Sequence, residues 1–328
     1  MKTRTLGAHG PRVSEIGLGL MGMSDLYGPA DEAESIATIH AALDAGITLL
    51  DTGDWYGMGH NELLLRDALR GRARDQAVIS VKFGLLRDPG GQVLGIDGRP
   101  AAVKTSLAYT LRRLGTDYID IYRPARLDPA VPIEETVGAI ADLVRAGYVK
   151  AIGLSEVGVE TIRRAHATHP IVDLQIEYSV VSRGPEEKIL PALAELGISV
   201  TAYGVLSRGL LSGSSPAGPR DFRAWLPRFS GENRPANDGL AATLRRLAEE
   251  KGVTPSQLAI AWVLAKGRSI VPVVGARTRR QLAESLGALG VTLSPDEVAR
   301  IEEALPPSAV AGTRYDAHQM RILDSERG

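Results

Sequence analysis

A (β/α)8 barrel is predicted by three features of this 328-residue sequence. Eight short apolar runs recur along it, with amphipathic stretches of helical period between them. The runs show little polar alternation, as expected of parallel strands buried on both faces. Gly46, Gly115, Gly147, Gly197 and Gly267 each stand two or three residues before the next run, where a helix ends and a strand begins. An open doubly wound sheet is the other α/β arrangement the alternation allows. No linker or low-complexity stretch divides the sequence, so residues 1–328 read as one barrel domain.

In chain order, Met1–Ser14, with Gly7 and Gly10 in its middle, predicts a β-hairpin that plugs the bottom of the barrel. The strand candidates are Glu15–Leu20, Thr48–Asp51, Ala77–Phe83, Tyr118–Pro124, Val149–Ser155, Ile171–Glu177, Ser199–Tyr203 and Ser269–Val274. Between the first two, Ser35–Ala45 places Ile36, Ile39, His40 and Leu43 on one helical face. Glu134–Ala146 does the same with Val137, Ile140, Leu143 and Val144. After the seventh strand, Leu210–Asn237 is rich in Gly, Pro, Ser and Arg and predicts a long loop. A loop of that length inside a compact domain points to function.

Composition narrows the function classes. The 38 basic and 39 acidic residues leave a net charge of −1, which disfavours nucleic acid or a membrane surface as the partner. Without Cys there are no disulfides, thiolate metal sites or Cys nucleophiles. No charged-then-apolar leader opens the sequence and no 18-residue apolar run occurs, so a soluble cytoplasmic protein is expected. Its partner is expected to be a small molecule, and nothing in the pattern points to an oligomeric state.

Gly17-Leu-Gly19-Leu-Met21-Gly22 matches the dinucleotide fingerprint G-x-G-x-x-G at the end of a predicted strand. That fingerprint needs its last Gly at the start of a helix, and Ser24–Ala30 intervenes here, including Pro29. A Gly-rich loop at the barrel mouth is the better reading. Asp51-Thr-Gly-Asp-Trp-Tyr56-Gly follows the second strand directly, and the C-terminal ends of barrel strands face the active-site rim. Asp51 would cap the turn or pair with a cation. Lys82 ends the third strand in apolar surroundings, where an unpaired ammonium is costly, and Asp51 is its natural partner. A cation beside a Tyr hydroxyl lowers the phenol's pKa from about 10, so Asp51, Tyr56 and Lys82 together would make a proton donor. A plain structural ion pair is the alternative. His166 and His169 have metal-like spacing with no carboxylate motif to complete it, so no metal is expected.

With these residues in view the sequence resembles the aldo-keto reductase superfamily along nearly its whole length. Asp51–Gly57 and Lys82 match the superfamily's catalytic pattern. So do Gly153-Leu-Ser155, Gln175-Ile-Glu177-Tyr178-Ser179, Ala202-Tyr203 with Leu206-Ser-Arg208-Gly209, and Gly275-Ala276-Arg277 before a helix. Asp221-Phe-Arg223, Pro227-Arg-Phe229 and Asn233 look closest to its bacterial branches.

The resemblance implies an NADP-dependent oxidoreductase that binds NADP(H) across the C-terminal mouth of the barrel. Asp51, Tyr56 and Lys82 would be catalytic. Ser155 and Gln175 would hold the carboxamide, and Tyr203 would stack on the nicotinamide. Gly204, Val205, Leu206, Arg208 and Gly209 would line the pyrophosphate. Gly19, Met21, Gly275, Ala276, Arg277, Gln281 and Glu284 would complete the cofactor site, with Glu284 accepting from the adenine. Arg277, Arg279 and Arg280 cluster at a helix start, which suits a 2′-phosphate. The substrate pocket would draw on Tyr27, Trp55, Arg126 and Tyr178. NADPH-dependent reduction of an aldehyde or ketone to the alcohol would follow.

Two positions depart from the pattern. Glu156 stands where relatives often have Asn, and can accept from an amide but not donate to it. Ala125 stands where the superfamily's active-site His belongs. Two residues back, Arg123 shares its strand face by parity and would point inward, needing a carboxylate or ordered water there. The missing His leaves open a nucleotide-binding regulatory subunit with little turnover. A Schiff-base lyase using Lys82 is disfavoured, because Asp51 would keep the amine charged.

Overall fold

The computed structural model describes residues 1–24, 26–216, 218 and 221–327. Eight parallel strands close into a barrel in sequence order: β1 Gly17–Gly19, β2 Leu49–Gly53, β3 Val78–Phe83, β4 Ile119–Pro124, β5 Val149–Ser155, β6 Ile171–Glu177, β7 Ser199–Tyr203 and β8 Ile270–Gly275. β8 pairs with β1, so no edge is left open. The doubly wound alternative is excluded by that closure. The helices between the strands include α1 Glu32–Asp44, α2 His60–Leu69, α3 Pro100–Leu114, α4 Ile133–Arg145, α5 Val159–Thr168 and α6 Ile189–Leu196. α7 Arg234–Lys251 and α8 Pro255–Ala265 both lie between β7 and β8, followed by α9 Arg279–Gly287 and α10 Pro295–Ala304.

The core is the apolar layer between strands and helices. Ile39, Leu65, Leu107, Val137, Ile140, Ile162 and Trp262 are buried in it, and of the two predicted stripes Ile39, Val137 and Ile140 are fully covered while Ile36, His40, Leu43, Leu143 and Val144 are half-buried. A second cluster closes the other end of the barrel. Thr3–Thr5 pairs antiparallel with Arg12–Ser14, and Leu6 and Val13 pack with Leu49, Ile121, Ala151, Val172, Val271 and Val273. The hairpin is therefore the expected plug at the strands' N-terminal ends. Gly7 turns it with φ +59°, and a Cβ there would lie 2.7 Å from the Val172 carbonyl oxygen.

Five of the strands and both predicted helices shift by one to three residues at their ends, and two connections differ more. The loop after β7 ends sooner, because Arg234–Asn237 already belong to α7, where Pro235 occupies the first turn that tolerates it. Within that loop Phe222–Trp225 and Pro227–Phe229 form single 3-10 turns. Between β3 and α3, a small antiparallel hairpin of Leu85–Arg87 and Val93–Ile96 rises beside the barrel mouth. Gly17–Gly19 is followed by a 3-10 turn at Met21–Met23 and the first helix begins only at Glu32. The literal fingerprint therefore meets no helix N-terminus.

Candidate active site

The C-terminal ends of the strands surround a cavity of about 920 Å³. At its floor the register sets Asp51 beside Ser80 and Gly53 beside Lys82. Residues two apart on a strand share a face, so Ser80 and Lys82 both turn toward Asp51. Lys82 Nζ donates to Asp51 Oδ2 at 2.5 Å, while Ser80 Oγ (3.0 Å) and Gln175 Nε2 (2.8 Å) donate to Oδ1. Both partners of the ion pair are buried. Tyr56 is placed by a turn directly after β2, in which Gly57 has φ +57° and Gly59 φ +93°. A Cβ at Gly57 would sit 3.0 Å from His60 Cβ. The Tyr56 ring centroid lies 5.2 Å from Lys82 Nζ, with Trp55 edge-on at 5.0 Å.

Burial lowers the Lys82 pKa, and the Asp51 carboxylate opposes that shift. The Tyr56 pKa is raised well above its ordinary value, first by burial and then by the Asp51 charge, with Arg126 pulling it back. The expected lowering of the phenol by Lys82 is thus overturned. The site removes Tyr56 from water, and that burial is the largest influence on its pKa, followed by the Asp51 charge. Tyr56 accordingly keeps its proton and can give it only to a bound acceptor.

Beneath this floor lies the inward Arg123, fully buried. Its Nη1 donates to Asp173 Oδ2 at 2.8 Å and to Thr201 Oγ1 at 3.2 Å, and its Nη2 to Ser80 Oγ at 3.0 Å. Of the two partners expected for an inward Arg, a carboxylate or ordered water, the structure supplies the carboxylate, Asp173. Ser80 links the two ion pairs, and the Arg123 charge helps lower the Lys82 pKa. Ala125 lines the cavity with Tyr56 and Lys82. Of the histidines, His60 turns to Ser24 and Glu32, while His318 lines the same cavity as Ala125 from the chain's last segment.

On one side of the mouth, Ser155 and Gln175 line the cavity as expected. Glu156 does not. It is buried with φ +53°, and its carboxylate faces Arg314, with Nη1 to Oε1 at 2.9 Å and Nη2 to Oε2 at 2.6 Å. It also accepts from Tyr203 Oη (2.6 Å), Ser325 Oγ (2.7 Å) and the Glu177 N–H (3.0 Å). No lone pair is left to receive an amide from the cavity. Tyr203 lines the cavity with its hydroxyl 2.9 Å from that of Tyr315. The segment after α10 thus folds back over the mouth, contributing Tyr315, His318, Gln319, Ile322, Leu323 and Arg327 to the cavity wall.

On the other side lie Gly19, Met21, Tyr27, Gly204, Val205, Leu206, Arg208, Gly209, Gly275, Ala276, Arg277, Gln281 and Glu284. The backbone N–H groups of Val205 and Leu206 have no acceptor among the described residues. Arg208 is committed to Glu177 (2.8 Å) and the Arg314 carbonyl (2.7 Å). Arg277 donates to the Tyr27 carbonyl at 3.0 Å and, like Arg280, meets no carboxylate among the described residues. Arg279 is taken by Glu34 of α1 at 2.8 Å and drops out of the expected cluster. Trp55 and Arg126 line the cavity.

Tyr178 is the misplaced residue. It is fully buried behind the sheet against Trp262, ring centroids 5.3 Å apart, and its hydroxyl donates to Glu186 at 2.6 Å. The strand ends at Glu177, so alternation no longer governs where the next side chain points. Sequence reasoning also missed the mouth hairpin, signalled by Asp88-Pro-Gly-Gly91, and the tie from Arg314 to Glu156. The signal for the tie was Glu156 itself, an acid at a buried strand end with no cation nearby in sequence.

A match to the Aldo/keto reductase family spans residues 15–306. The chain belongs to this family. A probable aldo-keto reductase 1 of Glycine max is 42% identical over 314 residues, covering 94% of this chain and 90% of that protein. The glycerol dehydrogenase AKR11B4 of Gluconobacter oxydans superposes with a TM-score of 0.83 at 28% identity, covering 93% of this chain and 96% of the other. The thermostable aldo-keto reductase Tm1743, solved with the inhibitor epalrestat, gives 0.76 at 28% identity over 93% and 100%. As an aldo-keto reductase the chain is an oxidoreductase of carbonyl compounds from a family that uses nicotinamide cofactors. Among the described residues no helix is long and apolar enough to cross a membrane.

Proposed function

We propose that this aldo-keto reductase uses NADPH to reduce an aldehyde or ketone to the alcohol, reversibly, with Tyr56 as the proton donor. One observation carries the reading: a buried Tyr56 and the Lys82–Asp51 pair share the cavity floor, with the ammonium 5.2 Å from the phenol ring. When bound, the cofactor supplies the hydride. Tyr56 gives its proton to the substrate oxygen as charge builds there, and Lys82 stabilises the phenolate left behind. Asp51 holds Lys82 charged and in place.

The residues present fit a dinucleotide. The unpaired Val205 and Leu206 N–H groups suit a pyrophosphate, and Ser155 with the Gln175 carbonyl oxygen suits the carboxamide. Gly19, Met21, Gly275, Ala276, Gln281 and Glu284 would line the rest, with Arg277 and Arg280 at the 2′-phosphate. Glu156 is left out, because its oxygens are occupied.

Tyr56→Phe keeps the ring and removes the proton. Carbonyl reduction is expected to fall by about 10²–10⁴-fold while NADPH affinity stays close to that of the parent. Near-parent turnover in this variant would assign the donor elsewhere. The methyl of Ala125 on the cavity wall favours one second reading, a nucleotide-binding regulatory subunit. NADPH binding by the parent with no turnover across a broad carbonyl panel would select it.

A further inference from the structure

We infer that Arg126 is an anion-binding residue at the substrate end of the cavity, and that the preferred substrate is an oxo acid, a carbonyl compound bearing a carboxylate. The inference rests on the carbonyl-reductase reading above and names its substrate class.

Arg126 directly follows Ala125, the residue on the cavity wall beside Tyr56 and Lys82, and is half-buried. The guanidinium makes two hydrogen bonds to the protein, from Nη1 to the Ala125 carbonyl at 2.7 Å and from Nη2 to Tyr315 Oη at 3.3 Å. Of its five N–H donors, the other three have no protein acceptor among the described residues. It also forms no ion pair there. Four other arginines at this end of the barrel do: Arg208 with Glu177, Arg223 with Asp221, Arg314 with Glu156 and Arg123 with Asp173. Glu156, the carboxylate acting most strongly on Arg126, is already neutralised by Arg314.

A cation partly removed from water, with most of its donors idle, favours an anion of matching geometry. The planar fork fits a carboxylate in a two-point contact. Arg126 holds Tyr315 by that one long bond and by standing 5.8 Å from its ring centroid, and three of its donors remain idle. Val93, Leu94, Ile96, Ile322 and Leu323 supply an apolar wall for the rest of the molecule. The Ala125 N–H donates to the carbonyl of Phe83 at 2.8 Å, the residue directly after Lys82, so Arg126 follows on the rim of the same cavity that Tyr56 and Lys82 line. A carboxylate docked on Arg126 would therefore present a nearby carbonyl to Tyr56, replacing the orientation that a His at position 125 would give. The carboxylate is unchanged in the reaction: hydride adds to the carbonyl carbon and the Tyr56 proton to its oxygen.

The test compares acids with their methyl esters, phenylglyoxylate and succinate semialdehyde each against its ester, with NADPH in the parent and in Arg126→Gln and Arg126→Lys. The parent is expected to prefer each acid by about ten- to a hundredfold in kcat/KM, mainly through KM, as a charge-assisted contact implies. In Arg126→Gln the acid-to-ester ratio should collapse to near one, and Arg126→Lys should keep part of it. Quenching of Trp fluorescence by phenylacetate, a non-reducible acid, should weaken in parallel in Arg126→Gln. Turnover of esters and acids at equal efficiency in the parent would overturn the inference and leave the reductase reading standing. An equal loss on acids and esters in Arg126→Gln would assign Arg126 a structural role instead. Failure of the parent to reduce any of the four compounds or any neutral aldehyde would overturn both.

Discussion

At the floor of the barrel Lys82 meets Asp51 at 2.5 Å and Arg123 meets Asp173 at 2.8 Å, all four side chains buried. At the rim beyond β8, Arg277 and Arg280 meet no carboxylate among the described residues. Burial accounts for the first half of this contrast. A charge withdrawn from water needs a partner within the fold, and each strand-end cation has one. Exposure accounts for Arg280, which water can solvate. It does not account for Arg277 or Arg126, which are half-buried and still lack an acid. Built-in pairs mark the part of the site that the fold completes alone. At the mouth, half-buried cations without pairs are the ones a ligand could complete.

The largest effect should come from breaking a built-in pair. Arg123→Met leaves Asp173 as a buried, uncompensated carboxylate, one of whose oxygens already lacks a partner. The expected loss is about 3–5 kcal/mol in chemical denaturation. Arg123→Met combined with Asp173→Leu removes both charges and should recover most of it. A double variant no better than the single one would show that the pair does not act as a unit.

A smaller and different effect is expected at the rim. Arg277→Ala should barely change stability, because no acid is left behind. It should instead remove most of the preference for NADPH over NADH in direct titration. A charge-assisted contact of about 1.5–3 kcal/mol corresponds to roughly ten- to a hundredfold in affinity. Equal affinity of the parent for both cofactors would remove Arg277 from the ligand-completed set.

The same contrast explains what could be read from the sequence. Val149–Ser155, Ile171–Glu177 and Ser199–Tyr203 emerge with the boundaries the sequence predicts, because strands buried on both faces leave continuous apolar runs. Asp51, Lys82 and Arg123 were legible for a related reason. A charged residue inside such a run has few ways to be tolerated, and strand parity then fixes its direction. Tyr178 failed one residue past a strand end, where parity stops. The Glu156–Arg314 tie joins residues far apart in sequence, and no local pattern encodes the return of the last segment to the mouth. The Tyr56 pKa failed in sign because charge proximity is visible in a motif and the depth of burial is not.

Asp54 sharpens the comparison from the opposite side, as a carboxylate on the floor's flank without a cation of its own. Arg113 is taken by Glu62, and Asp54 relies on backbone N–H groups of Trp55 and Gly84. Burial, reinforced by the Glu62 charge, pushes its pKa up to about 7. The folded protein therefore holds a proton that the unfolded chain releases near pH 4. The sign follows from linkage: stability falls as pH rises toward 7, and the loss is complete above it. Asp54→Asn is neutral at every pH and escapes that loss. Between pH 6 and pH 8 the variant's stability relative to the parent should rise by about 1.4 kcal/mol, roughly 2 °C in Tm for a chain of this size. Thermal melts of both proteins across that range give the answer directly. A difference in Tm that stays constant with pH would mean that Asp54 is ionised in the folded protein throughout, and that the two backbone donors alone suffice to hold its charge.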